Sequence, residues 1–230
     1  MSNRRRVALL SGLAATGILA AGGVAQAASP LIIGGSTVSH ISSAPWAAQI
    51  RFNGGSSHCS GALIAAQWVL TAGHCAAADD YVLLGSVTKG QGTQISTDQQ
   101  IKGNGEDILL LHLTKPYTTT YAQVGSPSNR PADKASVQAY GYGEVDSSGT
   151  PSNQLKTCTM VVKDNSASDD ANAHVLQLTK GSGISAKGDS GGPAFYKGFI
   201  VGTDSRGSDT VKDYADVTAY QSWIQQTIGS

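Results

Sequence analysis

Gly188-Asp189-Ser190-Gly191-Gly192-Pro193 sets a serine between glycines. Glycine on both sides permits a tight turn, exposes the hydroxyl and lets another carbonyl come close to the backbone amides. The stretch also satisfies G-x-S-x-G, the nucleophile elbow of an α/β fold whose histidine follows its serine in the chain. The five histidines, His40, His58, His74, His112 and His174, all precede Ser190, so that fold is excluded. Taken alone, the stretch could equally be an ordinary Gly-Ser turn.

Two other stretches bear on Ser190. In Gln67-Trp68-Val69-Leu70-Thr71-Ala72-Gly73-His74-Cys75 an apolar strand delivers His74 beside a cysteine. A bridge from Cys75 to Cys59 would brace the backbone that carries the ring, and a general base has to be held within hydrogen-bond reach of its nucleophile. Asp107 opens the run Ile108-Leu109-Leu110-Leu111. A carboxylate at the lip of a buried strand can orient an imidazole and stabilise its cation, although an isolated aspartate there is more often a turn residue.

Around these stretches the chain reads as β-structure. Short apolar runs bounded by turn residues recur at Trp46 to Phe52, Gly61 to Leu70, Tyr81 to Leu84, Ile108 to Leu113, Ser136 to Tyr142, Thr157 to Val162 and Ala194 to Val201. Asn53-Gly54-Gly55 is a hairpin signal, and Ser126 to Pro131 reads as a linker dividing two near-equal halves. A helix is expected only from Thr218, a candidate N-cap, with Tyr220, Trp223, Ile224 and Ile228 as its apolar stripe.

Residues 1–27 read as a signal peptide: Arg4, Arg5 and Arg6, then apolar small residues, then Ala25-Gln26-Ala27. A membrane anchor is the alternative reading, and the arginines leave twin-arginine export open. Without the leader, 13 Lys and Arg stand against 16 Asp and Glu, a formal charge of −3. That balance gives no basic patch for nucleic acid, and no second membrane span is expected. A Cys59–Cys75 bridge in an exported chain would add about 3 kcal/mol. It would leave Cys158 as a buried thiol or an intermolecular link.

Taken in order, these landmarks resemble the chymotrypsin-like serine proteases of the trypsin group, of a secreted bacterial type, over residues 32–230. Ile32-Ile33-Gly34-Gly35 resembles the N-terminus freed on zymogen activation, Cys59 to Ile64 with the His74 stretch resembles the first disulfide hairpin, and Gly141-Tyr142-Gly143 resembles a family G-W-G.

The resemblance implies an all-β fold of two antiparallel six-stranded β-barrels, about 32–125 and 126–230, with a C-terminal α-helix. It implies a triad of His74, Asp107 and Ser190, an oxyanion hole at the amides of Gly188 and Ser190, and an activation pair between Ile32 and Asp189 once the pro-segment 28–31 is removed. No metal or organic cofactor is implied. Implied partners are protein or peptide substrates and proteinaceous inhibitors, for a secreted monomer with no membrane contact after leader cleavage.

The specificity pocket would include Ile184, Ser205, Gly207 and Lys212. Ile184 stands where trypsin-like members carry the acid that binds Lys or Arg, which sets the expectation of apolar or acidic preference. The competing class is a secreted binding protein that keeps the fold without activity.

Overall fold

The computed structural model describes residues 32–52, 58–78 and 80–229. The leader, the pro-segment and the Asn53-Gly54-Gly55 signal lie outside the described residues. After the two-residue strand β1 (Ser36–Thr37) come β2 (Ala47–Phe52), β3 (His58–Ala65), β4 (Trp68–Thr71), β5 (Asp80–Leu84), β6 (Thr93–Lys102) and β7 (Leu109–Leu113). These six strands close a barrel in the order β2-β3-β4-β7-β6-β5.

The second half holds β8 (Gln123–Val124), β9 (Ser136–Gly141), β10 (Lys156–Asp164), β11 (Val175–Lys180), β12 (Pro193–Tyr196), β13 (Phe199–Gly207) and β14 (Val211–Asp216). Six of these run β9-β10-β11-β14-β13-β12, and β12 pairs back to β9 to complete a second barrel. The short β1 adds to β10 and β8 adds to β13. The fold is thus two six-stranded antiparallel β-barrels and one terminal helix, as the resemblance implied.

Ile50, Leu63, Val69, Val82 and Leu109 fill the first barrel. Val137, Met160, Leu176, Leu178 and Tyr214 fill the second. A third cluster, with Trp46, Leu70, Ile108, Leu110, Tyr142, Ile200 and Ile224, joins the barrels and the helix. β7 serves two of these layers: Leu109 and Leu111 face the first barrel's core, while Leu110 and the preceding Ile108 face the cluster between the barrels. A strand buried on both faces reads as an unbroken apolar run, and this one places Asp107, just before it, in the cleft.

The structure corrects several element boundaries. Gly61 to Leu70 is two strands separated by the turn at Ala66 and Gln67, and Ala194 to Val201 is divided by the Lys197-Gly198 turn, whose φ values are 50° and 88°. The helix does not begin at Thr218, and its N-cap is Tyr220 without a side-chain cap; Asp216 instead caps the 3-10 turn before it, its Oδ1 accepting from the Thr218 N–H at 3.0 Å and from the Thr218 hydroxyl at 2.6 Å. A 3-10 turn, Val217–Tyr220, then leads into α1 (Gln221–Ile228).

Candidate active site

His74 sits in the 3-10 turn Gly73–Cys75 that ends β4. Cys75 is bridged to Cys59 on β3, so both strands flanking the histidine are covalently joined. With both sulfurs in the bridge, the grouping of Cys59, His74 and Cys75 is not a metal site. Cys158 is buried and unbridged, and burial pushes its thiol up to about 12, which makes it unreactive.

Asp107 holds His74 twice. Its Oδ1 accepts the His74 backbone N–H at 2.7 Å, and its Oδ2 lies 2.7 Å from the ring Nδ1. Ser205 donates its hydroxyl to the same Oδ2 at 2.6 Å. Burial pulls the Asp107 carboxyl upward, but the hydrogen bonds from His74 and Ser205 outweigh it and hold the group at about 2. An ionised carboxylate only accepts, so Nδ1 carries the proton and the neutral ring presents Nε2 as a base. The hydrogen bond to Asp107 raises the His74 pKa above its usual value, against desolvation and with further help from the charges of Asp107 and Asp204.

Ser190 lies half-buried in the turn between β11 and β12. No hydrogen bond joins it to His74 in this state, a looseness common in enzymes without substrate. Its carbonyl instead accepts the Ser60 N–H at 2.8 Å, and the Ser60 hydroxyl donates to the Gly188 carbonyl at 3.0 Å. Ser60, beside the bridged Cys59, therefore ties the serine loop to the strand pair that carries His74. Gly191 has φ 76°, and a Cβ there would overlap the Thr71 hydroxyl, so only glycine lets the loop lie this close to β4. The amides of Gly188 and Ser190 donate to no acceptor among the described residues.

Asp189 is buried beneath this loop, 1% exposed. Its two oxygens accept the N–H groups of Gly143 at 2.7 Å and Ala186 at 2.8 Å, and Gly141 and Gly143 leave room for them. Burial pushes its carboxyl up to about 6, opposed by those two bonds and by the charges of Lys89 and Lys212. It forms no salt bridge among the described residues. Ile32, whose nitrogen is a peptide amide in the uncut chain, is already buried in the second barrel with φ 45°.

The four residues assigned to the pocket do not stay together. Ile184 and Lys212 line a cavity of about 220 Å³ with Ile33, Ser185, Lys187 and Asp209. Ser205 lies outside that lining, because a bulge between Asp204 and Arg206 turns its hydroxyl onto Asp107. Gly207 ends the β13–β14 ladder opposite Lys212. Arg206 is drawn to Asp169 at 3.0 Å. Sequence reasoning missed Asp204, 6% exposed and next to Ser205. Its only signal was an acid inside an otherwise apolar run.

The model of the family described as Trypsin matches residues 32–224. Trypsin of Sus scrofa is 32% identical over 225 residues, covering 86% of this chain and 96% of the porcine protein. Trypsin of Xenopus laevis is also 32% identical, covering 86% and 91%. Among solved structures, the scabies mite inactivated protease paralogue S-D1 superposes with a TM-score of 0.76 at 21% identity, covering 86% of this chain and 97% of that one. HL collagenase does so with a TM-score of 0.74 at 22% identity, covering 85% and 98%. These two likenesses concern the fold alone, whereas the family match spans both barrels and every residue of the site. The chain therefore belongs to the trypsin family of chymotrypsin-like serine endopeptidases.

Proposed function

We infer that this endopeptidase cleaves peptide bonds through an acyl-enzyme formed on Ser190. The reading rests on one observation above all: Asp107 holds both the ring and the backbone of His74. His74 Nε2 takes the Ser190 proton as the hydroxyl attacks the carbonyl, and the amides of Gly188 and Ser190 receive the oxyanion. The proton then passes from His74 to the leaving amine, and water repeats the sequence to release the acid.

The precursor is a secreted zymogen in this reading. The leader ending at Ala27 directs export, and cleavage before Ile32 frees an amine for Asp189. Two features favour that cut. Asp189 is a buried acid with no salt bridge among the described residues, and Ile32 is a β-branched residue at positive φ, a costly conformation that a free end can relax. The pocket departs from one with an acid at position 184, since Ile184 stands there, buried.

Labelling with a phosphonofluoridate tests the reading. Processed protein should be labelled stoichiometrically at Ser190, with Ser190→Ala unlabelled and inactive. Processed protein that folds but takes no label would instead be a binding protein.

A further inference from the structure

We propose that Asn104 is a site of spontaneous covalent modification, its side chain closing on the Gly105 backbone nitrogen to a succinimide that opens to aspartate or isoaspartate, and that the isoaspartyl form disables Asp107. The chemistry at Asn104 stands by itself, while its consequence for activity rests on the endopeptidase reading above.

Asn104 lies in the turn that joins β6 to β7. The two strands end their ladder at Lys102 and Leu109, and the Gly103 N–H donates to the Ile108 carbonyl at 2.9 Å. Asn104, Gly105, Glu106 and Asp107 form the loop between. One short loop thus carries both an Asn-Gly pair and the carboxylate that holds His74. Asn104 and Gly105 are exposed. Gly105 has φ 82°, and a Cβ there would meet nothing within 4 Å. The turn therefore keeps glycine for its backbone conformation, and no side chain shields the nitrogen.

Ring closure needs a backbone nitrogen free to lose its proton and a carboxamide free to swing towards it. Neither the Asn104 side chain nor the Gly105 N–H forms a hydrogen bond among the described residues. The other described asparagines differ. Asn129 and Asn153 are followed by Arg130 and Gln154, whose N–H groups donate to the Pro127 carbonyl at 3.3 Å and the Ser152 hydroxyl at 3.0 Å. Asn165 and Asn172 are followed by Ser166 and Ala173, whose N–H groups donate to the carboxylates of Asp164 at 2.8 Å and Asp169 at 2.9 Å.

The Gly105 nitrogen gives its proton to hydroxide and attacks the Asn104 side-chain carbonyl carbon. The new C–N bond closes a five-membered ring, and the side-chain nitrogen leaves as ammonia. Water then opens the ring. Attack at the side-chain carbonyl restores the ordinary backbone with a carboxylate at position 104. Attack at the backbone carbonyl routes the chain through the side chain, one methylene longer, and frees the α-carboxylate. Either product consumes one water and releases one ammonia. The loop that must take up the methylene is tied at Gly103 to Ile108, at Glu106 to Tyr220, and at Asp107 to His74 and Ser205. Lengthening it shifts Asp107 against the His74 ring, and a misplacement of about 1 Å costs about a hundredfold in rate.

The chemistry is tested on the Ser190→Ala protein, with and without Asn104→Gln, incubated at pH 6 and pH 8 and read by peptide mass and isoaspartyl methyltransferase labelling. Conversion at Asn104 should outpace that at every other described asparagine, run faster at pH 8, and vanish with Asn104→Gln. For activity, processed enzyme and its Asn104→Gln variant are aged in parallel, the more acidic form is separated, and kcat is taken per titrated Ser190. The isoaspartyl fraction should lose about a hundredfold in kcat, whereas aged Asn104→Gln and fresh Asn104→Asp, which has the charge without the methylene, should keep most of theirs. Conversion at Asn104 no faster than at Asn153 overturns the proposal. So does an isoaspartyl fraction as active as fresh enzyme, or Asn104→Asp as impaired as that fraction. With no titratable Ser190 the endopeptidase reading fails, and the mass readout still decides the modification.

Discussion

At the scale of single residues, the site depends on who donates to Asp107. With Nδ1–H, the His74 amide and Ser205 all donating, the carboxylate stays ionised and the ring keeps one tautomer. Asp107→Asn would present an N–H or a carbonyl where only an acceptor serves, so kcat should fall about ten-thousandfold at neutral pH. Ser205→Ala removes one donor and leaves the other two. It should lower kcat about tenfold or less and shift the Asp107 titration upward, seen as a stability loss beginning at a higher pH on acidification. A Ser205→Ala enzyme as impaired as Asp107→Asn would show that Ser205 does more than hold the carboxylate. His74, Asp107 and Ser190 stood out in the sequence as candidates because each carries a local signature: glycines about Ser190, Cys75 beside His74, an apolar run after Asp107. Ser60, Ser205 and Asp204 carry none. Their roles come from partners 128, 98 and about a dozen positions away in sequence, which only the closed barrels bring near.

At the scale of elements, legibility followed burial. β7 announced itself because both faces are buried, whereas β6 is ten residues long and mostly exposed, with Ile95 its one fully buried apolar side chain. Its residues, Thr93-Gln94-Ile95-Ser96-Thr97-Asp98-Gln99-Gln100, give no alternation to read, and it is held instead by pairing with β5 and β7. The linker stretch also carries more than a break. Its Pro127–Asn129 turn has a capping box from Ser126, and Arg130 reaches Asp216 at 2.9 Å, joining it to the residue that caps the 3-10 turn before the terminal helix. The β3–β4 pair can be tested through its bridge. Replacing Cys59 and Cys75 together by serine should cost about 3 kcal/mol, read as a loss in Tm of roughly 6–12 °C for a chain of this size. Because the bridge braces the turn holding His74, kcat should fall more than KM rises. An unchanged kcat in folded double mutant would mean that Asp107 alone positions the histidine.

At the scale of the whole molecule, the structure buries acids that form no salt bridge among the described residues, and under the proposed activation this gives the precursor a distinctive dependence on pH. Asp189 is held at about 6 and Asp204 at about 7, both by burial first, while an unfolded chain releases those protons near pH 4. Between about pH 4 and 7 the folded precursor therefore binds more protons than the unfolded one, and its stability falls as pH rises through that window. Asp107, held at about 2, acts with the opposite sign, but its contribution is lost only as pH falls from about 4 towards 2. In the proposed activation, cleavage before Ile32 would change the balance at Asp189, because an ammonium beside the carboxylate favours its ionised form and lowers its pKa. The processed protein should thus lose less stability between pH 5 and 8 than the precursor. Thermal unfolding of two Ser190→Ala proteins, one beginning at Ala28 and one at Ile32, measures this without self-digestion. Their Tm values should lie close together near pH 4 and separate by about 5 °C or more at pH 7.5, with the protein beginning at Ile32 the more stable. Two curves running parallel across the whole range would mean that the Ile32 amine never reaches Asp189, and activation would then have to act somewhere other than this buried pair.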